Sequence, residues 1–213
     1  MLPFRAPHVP SLQVIANPSI AYVQFTGSVA GGRAVYSATA ASRFIDVGLE
    51  LGGKDPAYIA ADADLQYAIS NVVDGGMYNA GQSCCAVERV YVHEKHYDAF
   101  LDGAKSLLQK YQLGHPHADT TSMGPLAQPQ HPAFLQKQVD EALKSGARLI
   151  TGGHRTHDAR GKGRFFEPTL LADCTKDMRV VKEESFGPLL AVSAVKSDEE
   201  AGQRHMQSCL ECM

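Results

Sequence analysis

Residues 79–86 read Asn79-Ala80-Gly81-Gln82-Ser83-Cys84-Cys85-Ala86 and place two adjacent cysteines after a Gly-Gln turn. An apolar pattern with helical period leads into this turn, and the strand-like run Val90-Tyr91-Val92 follows it. A cysteine held at a helix-to-strand junction can be partly exposed with a lowered thiol pKa, as a nucleophilic thiolate requires. Free cysteines are also among the most buried residue types, so a cysteine that merely packs stays open as an interpretation.

Helices and strands alternate on both sides of the cysteine turn. Before it we predict a strand at 57–60 and a helix, capped by Asp62 or Asp64, whose apolar residues have helical spacing: Leu65, Ala68, Ile69, Val72, Val73 and Met77. After it we predict a strand at 88–93, a helix at 95–111 stopped by Gly114, a helix at 132–145 closed by Gly146, a strand at 148–150, an exposed loop or hairpin at 152–163, strands at 165–171 and 189–195, and a helix start at 197–200. This alternation indicates an α/β fold with a largely parallel sheet.

A strand, a turn and a helix also follow one another near the start of the chain. The run 20–25 predicts a strand, Thr26-Gly27-Ser28 a turn, and 29–42 a helix. This layout can aim backbone N–H groups at a phosphate, but an ordinary turn with a serine cap stays open, because the glycine spacing matches neither common phosphate loop. A second strand, at 44–51, ends in Glu50-Leu51-Gly52-Gly53, where paired glycines suggest close backbone approach.

The bulk composition limits the classes of function. The 213 residues are 44% hydrophobic and 20% charged, and the net charge of −3 provides no basic field for nucleic acid. No apolar run is long enough for a membrane span or a signal peptide, so a cytoplasmic location is the default expectation. Five cysteines, two of them adjacent, form a poor disulfide framework and fit a reducing compartment.

The sequence predicts no metal site. Its nine histidines show no ligand spacing, and His115 and His117 fall in a predicted loop, where a solvated surface is the simpler interpretation. Cys209-x-x-Cys212 has the spacing of half a zinc site, but no second pair of ligands accompanies it.

Six short motifs stand in a fixed order along the chain. They are Phe25-Thr26-Gly27-Ser28, Glu50-Leu51-Gly52-Gly53-Lys54, Gly81-Gln82-Ser83-Cys84, Gly124-Pro125-Leu126, Phe166-Glu167-Pro168-Thr169 and Glu184-Ser185-Phe186-Gly187-Pro188. In order and spacing they resemble the signatures of the aldehyde dehydrogenase superfamily over about residues 17–200. The resemblance implies an aldehyde-dehydrogenase-like α/β fold, a Rossmann-like parallel sheet with flanking helices that is incomplete in this chain.

The resemblance implies an oxidoreductase that converts an aldehyde to a carboxylic acid with NAD or NADP. Cys84 is similar to the family's nucleophile, whose thiolate attacks the carbonyl to give a thiohemiacetal, while its own N–H helps to hold the oxyanion. Hydride transfer to the cofactor then leaves a thioester. Glu50 is similar to the base that activates the deacylating water. A carboxylate acts best as such a base when burial raises its pKa. Considered without the other motifs, Glu50 could also be a solvated acid at the end of a strand. Cys85 resembles a bystander.

The same resemblance assigns the cofactor contacts. They are Gly27, Ser28, Gly32, Leu51, Glu184 and Phe186. Gly27 and Ser28 resemble the turn beneath the pyrophosphate, with Gly32 in the helix behind it. Glu184 resembles the acid that hydrogen-bonds the nicotinamide ribose, and Phe186 resembles the ring that lies against the nicotinamide. Lys54 is interpreted as structural.

Three segments follow from the resemblance. Residues 1–51 are expected to be a remnant of the dinucleotide-binding domain, 52–200 the catalytic, cysteine-bearing domain, and 201–213 an atypical C-terminal tail. Family members extend further at both ends, with an oxyanion-hole asparagine, a lysine for the adenosine ribose and an oligomerisation strand that have no match here. The expected partner is a small-molecule aldehyde, with neither nucleic acid nor membrane. The alternative is a truncated, catalytically impaired fragment with residual thiol esterase activity, or one that acts only by pairing with full-length subunits.

Overall fold

The structure is a computed structural model that describes residues 13–158, 161 and 163–211, of which 207–211 are described by their backbone alone. The described chain divides between Gly52 and Gly53 into two compact units, the N-terminal unit and the C-terminal unit. The functions expected for residues 1–51, 52–200 and 201–213 stay predictions. Within the described residues, no helix is both long enough and apolar enough to cross a membrane.

The N-terminal unit is a β-α-β unit. Strand β1 (Tyr22–Thr26) and strand β2 (Asp46–Glu50) pair in parallel, and helix α1 (Val29–Ser42) connects them. The helix begins at Ser28, whose side chain accepts a hydrogen bond from the Gly31 N–H at 3.1 Å. The predicted strand, turn and helix are therefore confirmed.

The C-terminal unit contains the remaining elements. They are, in order, strand β3 (Asp55–Ile59), helix α2 (Leu65–Met77), strand β4 (Val87–His93), helices α3 (Tyr97–Leu108) and α4 (His131–Lys144), strands β5 (Arg148–Thr151), β6 (Arg155–Thr156), β7 (Phe165–Phe166) and β8 (Thr169–Ala172), helix α5 (Arg179–Lys182), strand β9 (Leu189–Val195) and helix α6 (Asp198–Glu211). Asp64 caps α2, because its carboxylate accepts the N–H groups of Gln66 and Tyr67. The predicted helix before the cysteines is confirmed, with Asp64 as its cap.

Five strands of the C-terminal unit form one sheet in the order β3-β4-β9-β8-β5. The first four run parallel, and β5 pairs antiparallel with β8 at the edge. Strand β9 is buried almost throughout, as a central parallel strand covered on both faces should be. The predicted α/β fold with a largely parallel sheet is confirmed.

Helix α2 packs close to the sheet and thereby places the cysteine turn that follows it. Its residues Ile69 and Met77 are each 2% exposed and belong to the same core as Phe100 of α3. At Gly76 a Cβ would lie 2.6 Å from a methyl carbon of Leu190 on β9, so only a glycine permits this approach. The sheet therefore fixes the end of α2.

The strand predicted at 165–171 is wrong as a single element. It breaks at Glu167 and Pro168 into β7 and β8. Strand β7 pairs with β6 in a small antiparallel hairpin, whereas β8 joins the central sheet. Proline has no N–H for a strand ladder, which explains a break at Pro168. The hairpin alternative for 152–163 is confirmed, with its second strand just beyond that range.

Two further details differ from the prediction. Helix α3 ends at Leu108, so Gly114 does not stop it; the Gly114 N–H instead donates to the Met123 carbonyl at 3.2 Å. The helix predicted to start near 197 continues to Glu211, with Ala201 buried at 4% exposure. The first part of the predicted tail is therefore helical, and residues 212 and 213 lie outside the described chain.

Candidate active site

The cysteine turn begins where α2 ends. In the single 3-10 turn Tyr78–Gly81, three consecutive residues, Asn79 (φ 52°), Ala80 (φ 56°) and Gly81 (φ 68°), have left-handed backbone. Such residues cannot continue a right-handed helix. The Asn79 side-chain N–H donates to the Gln82 carbonyl at 2.9 Å, and the Gln82 side-chain N–H donates to the Asn79 carbonyl at 3.0 Å. These reciprocal bonds stabilise the left-handed turn that presents the cysteines.

Both cysteines of the turn are accessible. Cys84 and Cys85 are exposed and free, whereas Ala86 is buried. The Cys85 Sγ atom lies 3.2 Å from the Ser83 Oγ atom, which ties Cys85 into the turn. The exposure of Cys84 excludes the interpretation that this cysteine merely packs in the core.

The turn is also bonded to the loop that carries the fourth motif. The Ala127 N–H donates to the Gln82 Oε1 atom at 2.8 Å. Leu126, the last residue of Gly124-Pro125-Leu126, is 1% exposed and anchors that loop in the core. Gln82 therefore bonds the residue that directly follows the fourth motif, 45 positions further along the chain.

Two glycines bring three motifs of the C-terminal unit together. A Cβ on Gly81 would lie 2.1 Å from the Gly187 carbonyl oxygen, and one on Gly53 would lie 2.4 Å from the Cys84 carbonyl oxygen. Real Cβ contacts are never this short, so both sites need glycine to allow backbone to touch backbone. The cysteine turn consequently packs against Gly53 on one side and against Gly187 on another.

Glu184 and Phe186 lie on the segment just before Gly187. The Gly53 N–H donates to the Glu184 Oε1 atom at 3.2 Å. Burial raises the pKa of Glu184, an effect that the Gly53 hydrogen bond opposes. Phe186 is 37% exposed and has a left-handed backbone with φ 49°. The structure thus places a half-buried carboxylate and an exposed ring on a segment that packs against the cysteine turn.

A buried ion pair that the sequence analysis missed lies behind this segment. Lys54 and Glu88, with 4% and 2% of their side chains exposed, pair at 2.5 Å between Nζ and Oε2. Burial lowers the pKa of Lys54, and the neighbouring Glu88 carboxylate opposes that shift. One sequence signal was present: Glu88 and Arg89 are charged residues at the start of an otherwise apolar strand. Lys54 is structural in this arrangement, as predicted.

The other predicted site residues belong to the N-terminal unit. Gly27 and Ser28 are exposed at the start of α1, and the Gly27 N–H donates to the Glu50 carbonyl at 3.0 Å. A Cβ on Gly32 would lie 2.5 Å from a methyl carbon of Leu51, so these two residues touch. Glu50 is exposed. The burial invoked in the sequence analysis for this carboxylate is therefore absent in this chain, because Glu50 is the last residue of β2 and its side chain faces solvent.

Within the part of the chain that the structure describes, no group of three or more His, Cys, Asp or Glu side chains is arranged to hold a metal ion. The prediction about Cys209 and Cys212 concerns side chains outside the described residues.

The family model named Aldehyde dehydrogenase family matches residues 10–207, which is almost the whole chain. The chain belongs to this family. The resemblance expected from the six motifs and the fold that it implied are confirmed.

Three relatives illustrate how far the similarity extends. The lactaldehyde dehydrogenase of Escherichia coli (strain K12) is 40% identical over 190 residues, covering 89% of this chain and 39% of the relative. The NAD+ complex of an aldehyde dehydrogenase from Bacillus cereus superposes with a TM-score of 0.86 at 38% identity, covering 91% of this chain and 39% of the other. A 3,6-anhydro-L-galactose dehydrogenase in complex with NADP superposes with a TM-score of 0.85 at 34% identity, covering 91% and 41%. The chain therefore spans about two fifths of the length of these family members.

The thiols of this family member should differ sharply in reactivity. Burial raises the pKa of Cys174 to about 12, while Cys84 and Cys85 are exposed. We expect iodoacetamide at pH 8 to modify Cys84 and Cys85 in the native protein and to modify Cys174 only after denaturation. Peptide mapping by mass spectrometry would report each site. Modification of native Cys174 as fast as Cys84 would contradict the described core.

Proposed function

We propose that this chain carries the reactive centre of an aldehyde dehydrogenase, which oxidises a small aldehyde to a carboxylic acid with NAD or NADP. The observation that supports this most is the exposed Cys84 in a left-handed turn, packed against the segment of Glu184 and Phe186. Membership of the family supports the same reaction. The proposed partner is the aldehyde substrate.

The proposed chemistry is carried by Cys84 and Glu50. The Cys84 thiolate attacks the aldehyde carbon and forms a carbon–sulfur bond. The carbonyl oxygen becomes an alkoxide, which accepts a hydrogen bond from the Cys84 N–H. Loss of hydride from that carbon restores the carbonyl and leaves a thioester on Cys84. Glu50 takes a proton from a water molecule, whose oxygen attacks the thioester, releasing the carboxylic acid and the thiolate.

The residues proposed for the cofactor have chemistry that fits it. NAD or NADP supplies the hydride acceptor when bound. The Glu184 carboxylate can accept a hydrogen bond from a ribose hydroxyl. The Gly53 N–H bonds to its Oε1 atom and thereby holds the carboxylate in place. Phe186 offers an exposed ring as a stacking surface, and Gly27 and Ser28 stand at the N-terminus of α1, where phosphate groups are favourable. Gly32 and Leu51 would support this turn from behind.

A cofactor-independent thiol esterase is the second candidate. It is favoured by the location of the accessible Cys84 in a unit that contains its own core. A third hypothesis is that the chain acts only by pairing with full-length subunits. The cytoplasmic location stays a prediction.

The test is a pair of assays on the purified chain. We expect NADH or NADPH to form in the presence of at least one member of a panel of small aldehydes, including lactaldehyde. Hydrolysis of an activated ester such as p-nitrophenyl acetate without hydride transfer would favour the esterase instead. Folded protein that reduces neither nucleotide with any aldehyde would overturn the dehydrogenase proposal for this chain.

The proposed role of Glu184 predicts a pH dependence of cofactor binding. Its pKa lies above the ordinary value of 4.5, so its carboxylate is protonated, and loses acceptor capacity, at a higher pH than an exposed glutamate. NADH affinity should therefore fall as the pH falls through this raised pKa. NADH fluorescence titrations at several pH values would measure it, with Glu184→Gln as control. We expect the Glu184→Gln variant to bind NADH more weakly and to lose the decrease in affinity at low pH. If the decrease at low pH is unchanged in this variant, another group must cause it.

A further inference from the structure

Glu88 is a charged residue buried in the central sheet. It is the second residue of β4 and is 2% exposed, in a strand whose following residues Val90 and Val92 are fully buried. Placing a carboxylate there is unfavourable unless its oxygens are fully hydrogen-bonded. Its bonding partners therefore indicate what the residue does.

The Glu88 carboxylate receives three hydrogen bonds. Oε2 accepts from Lys54 Nζ at 2.5 Å and from the Ser185 N–H at 2.7 Å, and Oε1 accepts from the Phe186 N–H at 2.8 Å. Lys54 Nζ also donates to the Ser185 Oγ atom at 3.0 Å. Two of the three bonds are thus made to consecutive N–H groups of the segment that carries Glu184 and Phe186.

A histidine holds the opposite side of the same segment. His131 Nε2 lies 2.9 Å from the carbonyl oxygens of both Ser185 and Phe186. Carbonyl oxygens only accept hydrogen bonds, so Nε2 is the protonated nitrogen. Ser185 and Phe186 are consequently bonded through their N–H groups to Glu88 and through their carbonyl groups to His131.

This two-sided bonding explains the backbone of Phe186. Its φ of 49° is a left-handed conformation that a bulky residue rarely adopts and that persists only when the surroundings enforce it. A buried ion pair contributes little net stability compared with an apolar pair of similar size. An apolar side chain at position 88, however, could not accept a hydrogen bond from the N–H group of either Ser185 or Phe186.

We propose that Glu88, paired with Lys54, is a positioning residue that sets the backbone of Ser185 and Phe186. It would thereby aim the Glu184 carboxylate and the Phe186 ring at the nicotinamide half of the cofactor. The second part rests on the proposed function. The first part concerns this chain without any ligand and is tested separately.

The first experiment measures amide hydrogen exchange in the ligand-free protein over residues 183–190. In the variant Lys54→Met/Glu88→Gln no charge is left unpaired. The Ser185 and Phe186 N–H groups bond to different oxygens of Glu88, so the glutamine NH2 group, which only donates, would face one of them. We expect exchange in this segment to accelerate about tenfold or more, since hydrogen bonds to a carboxylate are lost. Exchange at the wild-type rate would overturn the proposal, whatever the cofactor does.

The second experiment separates positioning from stability. The single variant Glu88→Gln should lower the melting temperature, because it leaves Lys54 buried beside a neutral partner. The double variant should melt close to wild type and yet bind NADH about tenfold more weakly. A double variant with wild-type stability and wild-type NADH affinity would show that Glu88 serves the fold alone.

The matched control is Asp173→Asn, which removes one negative charge from a different ion pair. Asp173 accepts from Tyr97 Oη at 2.8 Å and from Arg148 Nε at 3.0 Å, and not from the 184–186 segment. In the Asp173→Asn variant, amide hydrogen exchange over residues 183–190 and NADH affinity should stay at wild-type values. Changes equal to those of the double variant would overturn the proposal. Wild-type protein that binds no NADH would contradict the proposed function, while the exchange result would still decide the role of Glu88.

Discussion

Replacing Gly81 by alanine is expected to lower the free energy of unfolding of the C-terminal unit by about 3 kcal/mol or more. Two penalties act together. The backbone at φ 68° is unfavourable for any residue with a Cβ, and that Cβ would lie 2.1 Å from the Gly187 carbonyl oxygen. Because neither partner is a flexible side chain, the cysteine turn or the 184–188 segment must move. Urea unfolding of wild type and variant would measure the loss.

Gly161 provides a control with the same φ and no steric penalty. Its φ is also 68°, but a Cβ there would meet no atom within 4 Å. Gly161→Ala should therefore lower the free energy of unfolding by about 1 kcal/mol, which is the penalty of the left-handed backbone alone. Equal losses in the two variants would show that the contact between Gly81 and Gly187 does not contribute. Gly81→Ala should in addition change the rate at which iodoacetamide modifies Cys84, whereas Gly161→Ala should not.

The second large effect concerns turnover. If Cys84 is the nucleophile, Cys84→Ala should reduce aldehyde-dependent NADH formation by at least about a thousandfold, because the variant lacks the thiol on which the proposed thioester forms. Ester hydrolysis by this chain should be lost as well. Steady-state rates with the best aldehyde of the panel, measured on protein of unchanged melting temperature, would test this.

Cys85→Ala is the matched control for that experiment. Cys85 is also exposed and is immediately adjacent, but its thiol lies 3.2 Å from the Ser83 hydroxyl, and no step of the proposed chemistry uses it. We expect this variant to retain activity close to wild type. Activity that survives Cys84→Ala and disappears in Cys85→Ala would reverse the assignment of nucleophile and bystander.

The contacts of the C-terminal unit explain why short motifs far apart in the chain belong together. Gly53, Gly81 and Gly187 each occur in a different motif, and at the first two the absence of a Cβ allows backbone contact with another motif. The Gly53 N–H reaches Glu184 across 131 positions of sequence. These glycines set how closely the cysteine turn and the Glu184 segment approach, which is why substitution at Gly81 should affect both stability and the reactivity of Cys84.

The sequence by itself determined the parts of this protein that depend on neighbouring residues. Helix α1 with its Ser28 cap, helix α2 with a cap at Asp62 or Asp64, and strand β9 were predicted from local periodicity and capping. The structure selects Asp64 as the cap of α2. The alternation of these elements was enough for the α/β class, and the residue types within six motifs were enough for the family. The interactions behind these predictions span only a few positions.

Only the tertiary structure decided how the site is supported. Glu88 bonds Phe186 across 98 positions and Lys54 across 34, and His131 bonds the same segment across 55. No local pattern specifies such pairs, because burial and hydrogen-bond partners arise only when the sheet is assembled. The exposure of Glu50 was decided in the same way. The turn of Cys84 was therefore found from sequence, whereas the buried carboxylate that holds the neighbouring segment in place required the fold.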